Sequence, residues 1–254
     1  MLELLRTRRW IGFSALVVFV IAAFGFLSHW QWQRADERRS QREGIERASD
    51  GSPVVLTGSP DAAVDEWTAV RLSGTYEAAG QVLVRQRPQN ASNGYWVLTP
   101  LRLTGGPLVW VSRGWMAATG PATTTPSSPA APAGIVDVTG WWRHPETVNE
   151  ASRVGLPVGM VGAVDPSVLP VASPWPGYVQ LSESSPAQAG LTLVPRPVID
   201  EGQNVSYAVQ WLLFAAVAMI GWFVFLRREA REDAAIDGVT RQTTSSEAPL
   251  DQVG

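Results

Sequence analysis

Two long apolar runs frame the chain. Trp10 to Leu27 reads WIGFSALVVFVIAAFGFL without a charge, and Tyr207 to Leu226 reads YAVQWLLFAAVAMIGWFVFL. As helices they extend roughly 27 and 30 Å, close to the hydrocarbon thickness of a bilayer. The pattern predicts transmembrane helices over 10–30 and 206–226. A cleavable signal peptide competes for the first run, because Arg6, Arg8 and Arg9 form a positive n-region. That run is long, however, and WQWQR follows where a small-x-small cleavage site would stand, so an uncleaved anchor is expected. The charged stretch Ala35 to Ser49 has no Pro, and no Gly before Gly44, which continues the first helix out of the membrane before it breaks.

Between the runs the apolar spacing shortens to that of strands. Val54 to Thr57, Thr68 to Tyr76 and Gln81 to Arg87 are short β-type runs bounded by Gly, Pro or Asp. Tyr95 to Leu103 and Leu108 to Arg113 flank Thr104-Gly105-Gly106-Pro107, a hairpin signal. Ile135 to Trp142, Tyr178 to Leu181 and Leu191 to Val194 complete the set, and Asp165 to Leu169 reads as one helical turn. The Pro-rich segment 117–134 has few apolar groups to repay ordering and reads as an extended loop. The fold class expected is a membrane protein: two transmembrane α-helices flanking one antiparallel β-rich, barrel-like domain over 31–205. The segment 227–254 is polar and small and reads as a disordered tail.

Charge sets the orientation. Arg227, Arg228 and Arg231 follow the second run directly, whereas Asp200 and Glu201 precede it. The positive-inside tendency puts the C-terminus in the cytoplasm, and two spans put residues 1–9 on the same side. Arg34, Arg38 and Arg39 vote the other way for the first span; the cleaner asymmetry of the second decides. The domain is then extracytoplasmic, in the plasma membrane of a bacterium. Trp30 and Trp32 mark the outer end of the first helix, and Tyr207 and Trp211 that of the second, as an aromatic belt requires.

Composition removes whole classes of function. The chain has 254 residues, a formal net charge of −3, no cysteine and two histidines. All 20 basic residues are arginine. Disulfides, thiolate metal sites, cysteine nucleophiles and lysine Schiff bases are excluded, as is a metal site built on several histidines. No basic stripe indicates nucleic acid. His144, in Arg143-His144-Pro145, reads as a turn residue; a Ser-His-Asp triad would need it or His29, and no G-x-S-x-G elbow supports one. The sequence argues against an enzyme. Arg113-Gly114-Trp115 is either a strand ending at a glycine turn or a partner-facing arginine and tryptophan of the kind that dominates interfaces. His29 is either an interfacial polar group or an axial ligand to a haem held between the spans.

Four motifs in order carry a family resemblance. Leu27-Ser28-His29-Trp30-Gln31-Trp32-Gln33-Arg34 is similar to L-G-x-W-Q-x-x-R, and Gly94-Tyr95-Trp96-Val97-Leu98-Thr99-Pro100-Leu101 to G-Y-x-V-x-T-P-L. Val111-Ser112-Arg113-Gly114-Trp115 is similar to V-N-R-G-W, and Tyr207-Ala208-Val209-Gln210-Trp211 to Y-A-x-x-W. The chain thus resembles the Surfeit-locus (Surf-one, Shy-one) family of cytochrome c oxidase assembly factors, in an actinobacterial-type form. The resemblance implies a role in biogenesis of haem-copper oxidase, in inserting haem a or stabilising the catalytic subunit. The alternative it leaves is a structural accessory subunit of the mature oxidase, or of a supercomplex with a bc-type complex. The partners implied are oxidase subunits and membrane lipid. Trp30, Gln31, Arg34, Gly94, Tyr95, Pro100, Arg113, Gly114, Trp115, Tyr207 and Trp211 are the motif residues carried over. Three positions depart: Ser28 for glycine, Ser112 for asparagine, and Asn204 where family members often carry histidine. Asparagine is a poor haem-iron ligand, so either His29 takes over or this member binds no haem a. The outer helix ends are expected to bring Trp30, Gln31 and Arg34 near Tyr207 and Trp211, with Gln31 or Arg34 bonding within the pair or to an oxidase helix.

Overall fold

The computed structural model describes residues 6–57, 64–121, 123–148 and 155–246, with side chains as far as 236. It divides into a helical unit and a β-unit covering Arg42–Val198.

The helical unit pairs α1 (Arg8–Ser49) with α2 (Gly202–Ser246). On α1 the residues that are not exposed recur in steps of three and four: Trp10, Ser14, Val17, Ile21, Phe24, Ser28, Gln31 and Ala35. On α2 they are Asn204, Ala208, Trp211, Ala215, Ala218 and Trp222. This is the 3.5-residue period of a coiled-coil seam. Alanines on α2 and serines on α1 allow close approach, which drives helix association where lipid removes the hydrophobic incentive. The Ser28 hydroxyl donates to the Ala208 carbonyl at 2.9 Å, and the Trp222 indole donates to Ser14 at 3.0 Å. Only 6% of the most apolar stretch of each helix is buried. Phe19, Phe26, Val217 and Phe225 are all more than half exposed. A soluble core helix buries such faces; helices that expose them all round are built for lipid.

α1 runs unbroken through the charged stretch to Ser49, in agreement with the sequence. At the other end the structure differs from expectation: the tail read as disordered is helical to Ser246, and 247–254 lie outside the described residues. The reason is local. RREAREDAAI is rich in strong helix formers, and Arg228 bonds Glu232 one turn on at 2.9 Å.

The β-unit holds β1 (Val54–Val55), β2 (Ala69–Tyr76), β3 (Val82–Val84), β4 (Gly94–Leu103), β5 (Leu108–Ala117), β6 (Ile135–Arg143), β7 (Met160–Val161) and β8 (Tyr178–Ser185). Strands β2, β6, β8, β5 and β4 follow one another, and a β2–β4 pairing closes them into a five-stranded barrel. The barrel ladders are antiparallel except β5–β8, which is parallel. β3 pairs with β4 outside the ring and β7 with β3, while β1 lies along β2. Leu191 to Val194 makes one bridge, Thr192 to Trp115, rather than a strand. The two-residue β7 leaves no periodic signal in the sequence. Inside the ring Val70, Leu72, Leu101, Val109, Val136, Val138 and Leu181 form the main core with Trp142. β4 and β5 are buried on both faces over most of their length, because β3, β7 and the Pro-rich segment cover their outer side.

Candidate functional site

Arg113 is the organising residue of the β-unit. Between β4 and β5 the register shifts, so Val97 faces Gly114 while Leu98 faces Ser112. Arg113 is the extra residue of this bulge, and bulges re-aim side chains. Its guanidinium is fully buried. Nε donates to Gln188 Oε1 at 2.7 Å, and Nη1 donates to Gln81 Oε1 at 2.7 Å and the Pro129 carbonyl at 3.1 Å. Nη2 donates to the Ala130 carbonyl at 2.8 Å, and the group lies over the Tyr76 ring at 5.5 Å. Every one of these acceptors is neutral. Burial accordingly pulls the guanidinium below its usual value, and it pushes the Tyr76 phenol up. Thr99, from the T-P-L motif, donates to the same Gln81 oxygen at 2.8 Å. Gln81 in turn donates to Ser128 at 2.8 Å. The partner-facing reading of Arg113 is therefore corrected: a side chain without exposed surface cannot meet a partner. It clamps the Pro-rich segment instead. That segment, which composition reads as loose, is an ordered strap: Pro126, Pro129 and Pro132 are half-buried, and Ala131 packs on the main core.

Gly114 and Trp115 complete the same structure. A Cβ on Gly114 would stand 2.8 Å from the Thr192 carbonyl, so glycine lets the 191–192 segment lie against β5. Trp115 bridges Thr192 through both backbone groups, and its indole donates to the Arg87 carbonyl at 2.6 Å. The indole lies directly over Gly94, where any Cβ would overlap it. G-Y and R-G-W are thus two halves of one contact across the β4–β5 ladder. Tyr95 is buried against Leu83, Val97 and Met160. Pro100 packs over Gly80, and its carbonyl accepts from Glu77 N–H at 2.8 Å. Beside this, Arg87 pairs with Glu146 and stacks on Trp96 at 4.2 Å, while Arg143 lies over Trp67 at 3.9 Å and donates to Gln180 at 2.9 Å. Gln81, Gln188 and Glu146 escape sequence reasoning because their partners lie 16 to 75 positions away in sequence, with no local signature.

The helical motif residues divide. Ser28 and Ala208 make the closest crossing, and Phe24 stacks on Trp211 at 5.5 Å. Gln31 lies half-buried on the seam one turn beyond Ser28. Trp30 and Tyr207 are 47% and 43% exposed and face away from the seam. Arg34 pairs with Glu37 of its own helix at 3.2 Å rather than across the pair, which corrects that expectation. His29 is exposed, off the seam that its neighbour Ser28 occupies. A haem between the spans does not fit these residues. The Ser28–Ala208 bond leaves no room for a macrocycle at that level, and His29 points elsewhere. His144 stands exposed in its turn and meets the Val64 carbonyl at 3.2 Å. Among the described residues no group of three His, Asp or Glu is arranged to hold a metal ion.

The SURF1 family model matches residues 18–216, from the first helix through the barrel into the second. The chain belongs to the SURF1 family. SURF1-like proteins of Mycobacterium bovis and Mycobacterium tuberculosis are 27% identical over 268 residues, covering 96% of this chain and 95% of theirs. A SURF1-like protein of Dictyostelium discoideum is 29% identical over 118 residues, covering 42% of this chain and 43% of its own. Within the SURF1 family pattern, the serine at position 28 keeps the small-residue crossing and adds a hydrogen bond that glycine cannot make. Ser112 and Arg113 share the bulge, so the second departure falls beside the clamp without altering its donors.

Proposed function

We propose that the protein is an assembly factor for a haem-copper cytochrome c oxidase, aiding haem a insertion or holding the catalytic subunit in a competent state. Family membership across both helices and the barrel carries this reading. The site geometry supports a holding role rather than a catalytic one, since the motif residues build a rigid frame and leave Trp30, Trp32 and Tyr207 outward for a partner helix. Haem a is cargo in this reading, not a resident cofactor. The arginines after α2 support both termini in the cytoplasm and the barrel on the outer side of a bacterial plasma membrane. Deleting the gene lowers the haem a signal of the oxidase in reduced-minus-oxidised spectra while b- and c-type signals stay normal. An unchanged haem a signal contradicts the proposal.

One observation favours a second reading. Asn204 occupies the seam position where members often carry histidine. A chain without that ligand suits a structural accessory subunit retained in the oxidase, or in a supercomplex with a bc-type complex. Such a subunit co-purifies with mature oxidase in fixed proportion.

A further inference from the structure

We propose that the arginine-rich end of the helical pair binds one anionic phospholipid, with its phosphate on the arginines and an acyl chain along Phe13 and Phe225. A cleft of about 360 Å³ opens there, lined by Arg9, Trp10, Phe13, Phe225 and Glu229. Its wall is preformed. Trp10 is only 4% exposed and meets Phe13 edge-on at 5.6 Å. Phe13 and Phe225 remain 37% and 59% exposed, so the apolar half of the cleft is open along the helices.

The polar half carries an excess of positive charge. Arg6, Arg8, Arg9, Arg227, Arg228 and Arg231 meet Glu229, Glu232 and Asp233, six cations to three carboxylates among the described residues. Arg228 is satisfied by Glu232 at 2.9 Å. Arg9 reaches Glu229 at 3.5 Å, a loose pair whose arginine side chain is 82% exposed and keeps most of its donors. Arg6, Arg8 and Arg231 are exposed, with no carboxylate partner among the described residues, and Arg227 rests on the Phe223 ring at 4.5 Å. A cationic rim directly above an aromatic slot has the order of a phospholipid, phosphate above chain. A zwitterionic headgroup brings its own cation into this surplus, whereas a phosphodiester with a neutral head does not. The charge therefore selects the anionic class. This inference rests on the helices spanning a membrane and is independent of any role in oxidase assembly.

The test uses the full chain in mild detergent, titrated with phosphatidylglycerol, phosphatidylethanolamine or phosphatidylcholine and read by native mass spectrometry. One phosphatidylglycerol is retained in preference to both zwitterionic lipids. Replacing Arg8, Arg9 and Arg227 together by Gln weakens its retention by at least about fivefold, the effect expected of even one surface arginine. Arg6→Gln with Arg231→Gln leaves the cleft wall untouched and weakens retention as well, which separates charge from misfolding. Phe13→Ala with Phe225→Ala weakens all three lipids alike. Equal retention of the three lipids, a preference for phosphatidylethanolamine, or full retention by either arginine variant overturns the proposal.

Discussion

Arg113 shows what a buried charge without a counter-ion does for a small barrel. Its donors are spent on two glutamines and two backbone carbonyls, which fixes β3, the strap and the 184–188 segment to one point. Arg113→Met leaves those acceptors buried and unpaired, and is expected to cost about 3–5 kcal/mol in denaturant unfolding. The same variant exposes 117–134 to a broad-specificity protease; wild-type cleavage kinetics would show that the clamp does not hold the strap. Tyr178 gives the unit an alkaline limit. Burial holds its phenol up from 10.0 to about 12, with Glu146 and Glu66 adding to the rise and Arg143 and Arg87 opposing it. The raised value belongs to the folded state, so the fold favours the neutral phenol. That contribution is whole below 10.0 and is lost as pH climbs towards about 12. Unfolding midpoints compared between about pH 9 and about pH 12 should fall, and Tyr178→Phe should narrow the drop. An equal drop in both proteins excludes Tyr178 as the cause.

At the scale of elements, the helices and most strands are legible because each has a local period. α1 announces itself by an uncharged run and then by an unbroken charged helix, and the β4–β5 hairpin by Gly105-Gly106 between alternating runs. Composition misleads at the strap and at the end of α2. Both are low in apolar content, yet one is ordered by side chains from distant strands and the other by its own i to i+4 pair. The seam is written in the sequence as steps of three and four from Trp10 to Ala35, a signal that the evenly apolar composition of the run obscures. It predicts a cross-link. The chain lacks cysteine, so Ser28→Cys with Ala208→Cys in membranes should form an intramolecular disulfide on mild oxidation, while His29→Cys with Ala208→Cys should not. Equal cross-linking of both pairs would contradict the seam.

For the molecule as a whole, four weak motifs become one explanation once folded. Gly94 and Trp115 are a single contact, Thr99 and Arg113 share Gln81, and the L-S-H-W-Q and Y-A-x-x-W stretches meet at Ser28 and Ala208. None of these pairings is readable from spacing, because each joins residues distant in sequence. The motifs thus describe a frame held between membrane and barrel, and the histidine that seemed the obvious ligand lies outside it. The central claim is that this frame, not a haem ligated by His29, supports the oxidase. Complementing a deletion strain with His29→Ala and measuring oxidase haem a in difference spectra tests it directly. Full restoration at wild-type protein level is the predicted result; a haem a deficit as deep as in the deletion, with the variant present in the membrane, would contradict it.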